Sequence, residues 1–373
     1  MKKILTLFTT WILLLALTAC NGGKGADLLI LSWGEYISED AIANFEEANN
    51  VSVRVVSTDS NESMYTMIQN RTSEYDIAIP SDYMIHQLME DDMIHRLDYD
   101  KLLSYEEGMF VPELEALMKG EDCISYEGYY MPYFWGSLGI MYSNKKIPNM
   151  SDIVRRHGFH LFYDKGLQPK NLRIAMYNGS RDALASAELH LGYSLNTKDH
   201  DKITECMELI KAMGFTTWGT DDLKIQISMG NLDAALVYTG DYFDAYYADI
   251  EGGNEDNTKT YGIYAPEEHN NIFLDAMVIP KTTSNLDLAH KFIDYMISYE
   301  GALLNADYVG YCPTVNSVYK EIMSNKAYVG VSSNPSYSPV NILKHEGSRG
   351  EVYQFLGADT FRHIEREYTK VLF

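Results

Sequence analysis

The chain has 373 residues, a formal net charge of −23 and four cysteines. That length supplies a large core and two domains or lobes. The charge argues against nucleic acid and anionic membrane surfaces as partners and attracts cations at long range, and cysteines so few and irregularly spaced carry no metal-ligand pattern.

Lys2 and Lys3, followed by an apolar stretch over residues 4–16, form the n- and h-regions of an export signal too short to span a bilayer comfortably. Leu17-Thr18-Ala19-Cys20 resembles the lipobox of bacterial lipoproteins. That resemblance implies removal of residues 1–19 and a diacylglycerol on the Cys20 sulfur. Residues 20–27, glycine-rich and polar, then read as the lipidated cysteine and a flexible tether. Without Lys2 and Lys3 the formal charge falls from −23 to −25. No later stretch has the length of a membrane span, so the expected location is the extracytoplasmic side of a cell membrane, held by lipid alone. For Cys123, Cys206 and Cys312 a single disulfide and buried thiols are equally open.

In chain order, residues 28–31 are a short apolar run without helical period, a buried strand broken by Ser32 and Gly34. Ser38 suits an N-cap for a helix over 38–49, with Ala41, Ile42, Phe45 and Ala48 at helical spacing. Residues 51–56 alternate as a strand, 62–70 return to helix, 75–79 form an apolar strand ended by Pro80, and 86–93 are helical. That β-α-β-α-β-α order predicts a parallel sheet with helices on its faces. Residues 98–127 are acidic and irregular, read as short helices and loops. The aromatic run over 129–142, broken by Pro132, Gly136 and Gly139, predicts an extended segment passing between two lobes.

A second series follows: strand 172–176, helices 183–191, 202–213 and 223–229, strand 232–238, helix 242–250, extended 261–264 and a returning strand 271–280. Leu288, Phe292, Tyr295 and Met296 fall on one side of a single amphipathic helix over 286–304, and a last helix covers 359–370. Two α/β series joined by two extended crossings predict two lobes, with the cleft between them as the default ligand site.

Enzyme motifs are scarce: there is no GxSxG, GxxxxGK[ST], HExxH or GxGxxG, and the ten histidines are scattered. Nothing calls for a cofactor or a metal. What recurs is an aromatic or a carboxylate just after an apolar strand, the place where open α/β sheets bind ligands. Trp33, Glu35 and Tyr36 follow the first strand, Ser81, Asp82 and Tyr83 the third. Tyr177, Arg181 and Asp182 follow residues 172–176, Tyr238 and Asp241 follow 232–238, and Phe273 and Asp275 lie within 271–280. A methylene chain ending in ammonium groups would pack between such rings, gaining about 0.5–2 kcal/mol per cation–π contact. Carboxylates would hold its ends through charge-assisted hydrogen bonds.

Residues 32–36 (SWGEY), 60–65 (SNESMY), 75–81 (YDIAIPS), 132–136 (PYFWG), 191–194 (LGYS) and 309–311 (VGY) resemble the polyamine-binding proteins of ABC importers, in that family's order and across nearly the whole mature chain. The resemblance implies a type II solute-binding fold: lobe 1 from 28–134 plus 270–318, lobe 2 from 135–269 plus 319–373, and a hinge of two crossings. It implies no enzyme activity. The expected ligand is spermidine or putrescine, and the expected partners are a membrane permease and its ATPase, met by a monomer. Carried over by position, the binding residues are Trp33, Glu35, Tyr36, Ser81, Tyr83, Asp182, Tyr238, Phe273, Asp275, Tyr311 and, at looser spacing, Gln354. The chain departs from the family where Gly179 stands in place of an aspartate, and where Tyr238 and Phe273 stand in place of tryptophans. Thiamine, ferric iron and an oligosaccharide are the alternative ligands on the same fold; Tyr246-Tyr247 and Tyr129-Tyr130 are the tyrosine pairs iron would want, in a chain with 29 tyrosines. A surface adhesin or a hydrolase on this fold is the remaining alternative.

Overall fold

A computed structural model describes residues 25–120 and 128–373. The lipobox with Cys20, most of the tether and Cys123 lie outside the described residues. The first strand, β1 (Leu28–Ser32), is almost wholly buried and leads to helix α1 (Glu39–Asn49). Ser38 caps that helix, its hydroxyl accepting from the Ala41 amide, which satisfies one of the free amides of the first turn. Strand β2 (Val53–Ser57), helix α2 (Asn61–Gln69) capped by Ser60, strand β3 (Ile77–Ala78) and helix α3 (Asp82–Glu90) complete the series. The strands pair in parallel in the order β2-β1-β3. Helix α3 starts four residues earlier than residues 86–93 suggest, because Ser81 is already its N-cap. The polar turn and the helix start are the same residues.

The aromatic run is one strand, β4 (Met131–Ser143), buried along its entire length. Its first half pairs antiparallel with β9 (His269–Met277), its second half with β7 (Ala234–Tyr238) and β8 (Tyr261–Tyr264). Past β9, Val278 bridges to Ala78 in β3, so β4 and β9 connect the small parallel sheet to the larger one. In the larger sheet β5 (Ile174–Tyr177) runs parallel to β7 and to β6 (Trp218–Gly219), while β4 runs against its neighbours. Three further helices flank it: α4 (Ser180–Leu191), α5 (His200–Met213) and α6 (Asp222–Ser228). Helix α7 (Thr239–Glu251) springs directly from β7.

One expectation is corrected. Residues 286–304 are not a single helix but α8 (Leu286–Ile297) and α9 (Tyr299–Val309), parted at Ser298, whose backbone is extended. The Ser298 hydroxyl donates to the Tyr295 carbonyl and accepts from the Gly301 amide. A side chain that bonds the local backbone on both sides competes with helix continuation and favours a cap. After α9 come the short strand β10 (Cys312–Pro313), which pairs with β4, and strand β11 (Arg349–Glu351), which pairs with β9. The chain closes on helix α10 (Ala358–Leu372). Cys206 and Cys312 are buried free thiols.

Candidate functional site

The carboxyl ends of β1, β3, β5 and β7, the middle of β9 and the turn after α9 meet at one cleft open to solvent. Every binding residue carried over by position lines it except Gln354, and of the strand-end residues Asp82 is buried outside it. Gln354 lies outside the lining, with its backbone amide on Asn196. Its neighbour Tyr353 instead packs on Tyr83 at 6.2 Å and under the Arg181 guanidinium at 4.6 Å. The tyrosine pairs at 129–130 and 246–247 do not line the cleft either.

A continuous wall of rings runs through the cleft. Tyr36 meets Tyr311 edge-on at 5.6 Å, Tyr311 meets Phe273 at 5.8 Å, and Phe273 meets Tyr238 at 4.9 Å. Backbone space makes this wall possible: a Cβ on Gly240 would stand 2.0 Å from the Tyr311 ring. Three of these tyrosines each donate to a carboxylate. Tyr36 donates to Asp275 Oδ2 at 2.6 Å, Tyr311 to Asp241 Oδ1 at 2.9 Å, and Tyr238 to Asp182 Oδ1. Tyr83 likewise donates to Glu62 Oε1 at 2.9 Å. Gly179 leaves the room that Asp182 occupies, since a Cβ there would fall 2.1 Å from Asp182 Oδ2.

Burial shapes the charge of these acids. It pushes Asp275 up to about 6 despite the Ser81 and Tyr36 hydroxyls, which favour the anion. It pushes Asp182 up to about 6 as well, with the Tyr238 hydroxyl pulling down and nearby Glu62 pushing up. Asp241 stands at about 7, raised by burial and Asp221 and lowered by Lys224. Although Ser81 approaches Asp275, the Oδ1 atom is buried without a hydrogen bond of good geometry, and so is Trp33 Nε1. An anionic oxygen in that position is a costly arrangement unless a cation meets it.

Glu35, Asp221, Asp241 and Asp244 surround the Lys224 ammonium. Lys224 pairs with Asp244 Oδ2 and, at 3.4 Å, with Glu35 Oε2. Burial works against its charge, yet Asp241 and Asp244 more than offset this and hold it above the usual lysine range. Sequence reasoning noted Asp241 but missed Asp221, in the turn after β6, and Lys224 and Asp244, which sit on α6 and α7. A signal existed in the i, i+3 spacing of Asp241 and Asp244 immediately after β7. Among the described residues no group of three or more His, Cys, Asp or Glu is arranged to hold a metal ion.

A model of the bacterial extracellular solute-binding proteins matches residues 40–329. The chain is 22% identical, over 84% of its own length and 84% of the relative's, to the spermidine/putrescine-binding periplasmic protein of Salmonella typhimurium. It is 25% identical to the putrescine-binding periplasmic protein of Pseudomonas aeruginosa, over 96% of this chain and 97% of that one. A solved structure of a candidate spermidine/putrescine ABC transporter from Listeria monocytogenes superposes with a TM-score of 0.76 at 28% identity, covering 92% of this chain and 98% of that one. These relatives are transport binding proteins, not enzymes.

Proposed function

The chain belongs to the bacterial extracellular solute-binding proteins, and from that premise we propose that it captures a polyamine, putrescine or spermidine, in the cleft between its lobes. The observation that carries this reading is Asp275, a buried carboxylate hung from Tyr36 with its second oxygen unpartnered, beside a wall of four rings. An ammonium group satisfies that oxygen by a charge-assisted hydrogen bond, and the alkyl chain behind it covers ring faces. A sugar could stack on the same rings but has no charge to offer the carboxylates. The resemblance of the N-terminus to a lipobox supports a lipid anchor on Cys20. No helix among the described residues is long and apolar enough to cross a membrane. In this reading a monomer closes its two lobes over the amine, and a permease with its ATPase takes up the closed form.

Titration calorimetry tests the proposal. Protein freed of any copurified polyamine is titrated with putrescine, spermidine, maltose and thiamine. The expected result is saturable one-to-one heat with at least one polyamine and none with maltose or thiamine. Heat with maltose or thiamine alone would overturn it.

A further inference from the structure

We propose that Lys224 fills one cation position of the cleft permanently, so that the cleft selects ligands with two ammonium groups over those with three. This rests on the polyamine reading above.

Three carboxylates hang from the tyrosines of the ring wall, and they differ in what is left for a ligand. Asp275 keeps one buried oxygen without a partner. Asp182 hangs from Tyr238, with the Tyr353 hydroxyl also favouring its anion, so its partners are phenols; Arg181 beside it is stacked between Tyr83 and Tyr353 and donates to the Leu195 carbonyl. Asp241 is different: Oδ1 accepts from the Tyr311 hydroxyl and Oδ2 from the Tyr238 amide at 3.0 Å. Beside it Lys224, only 9% exposed, spends its ammonium on Asp244 and Glu35.

Asp275, held by Tyr36, and Asp182, held by Tyr238, are therefore open to ligand cations, and the third position already holds one. A diamine matches two open carboxylates with its two ends. The third ammonium of a triamine must approach Lys224, and like charges brought together across a binding site are strongly selected against. Lys224 comes from α6 and Glu35 from the turn after β1, so the same ion pair ties two separate parts of the cleft wall. The positive side chain in a cation site is thereby accounted for as a ligand surrogate rather than an anomaly.

The test compares putrescine and spermidine affinities of the wild-type protein, K224M and the paired variant K224M/D244N, which removes the lysine without stranding its main partner. The wild type is expected to bind putrescine more tightly than spermidine, and loss of the ammonium is expected to shift that ratio toward spermidine by about tenfold or more. Should K224M fail to fold, the paired variant decides. K224R, which retains the charge, is expected to keep the wild-type preference. A wild type that prefers spermidine, or a ratio that stays within about threefold in the folded variants, would overturn the inference while leaving polyamine capture intact. Absence of heat with either amine in the wild type would overturn both.

Discussion

The two ends of the cleft satisfy their carboxylates by different means. Around Asp275 and Asp182 the partners are phenols, Tyr36 and Tyr238; around Asp244 and Glu35 the partner is the ammonium of Lys224. A phenol donates a hydrogen bond without supplying charge, so it orients an anion and leaves it anionic. An ammonium group does both. The tyrosine-held end thus keeps its demand for a cation, at the expense of burial that lifts Asp275 and Asp182 to about 6. The lysine-held end has met part of its demand from within the chain. The difference shows that counting acids in a cleft overstates how many cations it will take.

Removing the charge at the tyrosine-held end should have the largest effect. In D275N the amide can still accept the Tyr36 hydroxyl, but it offers a bound ammonium no charge. Losing one partner of a buried, hydrogen-bonded charge pair costs about 2–5 kcal/mol, so putrescine affinity should fall by at least about thirtyfold. Calorimetry reads this directly, and far-ultraviolet circular dichroism should show the fold retained. A loss below about fivefold would mean that Asp275 does not carry the ligand's charge and would erase the distinction between the two ends.

Acidification probes the same end without mutation. Asp275 and Asp182 at about 6, and Asp241 at about 7, all lie above their ordinary value of 3.8, so the folded chain holds these protons more tightly than the unfolded one. Stability of the ligand-free protein from these groups is therefore fully present below pH 3.8 and is lost as pH rises through 6–7. Ligand affinity should run the other way, because an ammonium needs the carboxylate ionised. Each carboxylate weakens binding about tenfold per pH unit below its own value, so Asp275 and Asp182 together should cost about a hundredfold at pH 5. Calorimetric titrations and ligand-free melting curves across pH 5–8 should show opposite slopes. Parallel slopes would mean that these carboxylates do not face the ligand.

Much of this was legible from strand ends. Short apolar runs stop where the chain turns, and the aromatic and acidic residues just beyond them, Trp33, Tyr36, Tyr83, Asp182, Tyr238 and Asp275, reach one cleft because the sheet gathers those ends together. The lysine end was not legible for the opposite reason. Lys224 and Asp244 belong to helices, where a charged residue normally marks a solvated face, and Asp221 follows a strand of two residues; the packing of α6 and α7 turns them inward. The break at Ser298 was hidden by an apolar spacing that continues across it, whereas a single hydroxyl decides the backbone. Gln354 lies outside the lining, where its neighbour Tyr353 takes the position against Arg181 and Tyr83.

Glu35 offers the mildest and most discriminating comparison. Read along the chain, Glu35 and Asp275 are both carboxylates of one set of binding residues. In the folded protein Glu35 has a left-handed backbone φ of 51°, and its side chain is 70% exposed with Lys224 as its partner. Asp275 is 6% exposed and bonded to a phenol. An exposed ion pair contributes about 0–1 kcal/mol, because water screens it and two flexible side chains must be held in place. E35Q should therefore weaken putrescine binding by less than about fivefold, where D275N weakens it by at least about thirtyfold. The same variant should loosen Lys224, which then relies on Asp244 and on Asp241 and Asp221 nearby. If E35Q instead matched D275N in its loss, Glu35 would be gripping the ligand rather than the lysine, and the lysine-held end would have to be counted as a third open position.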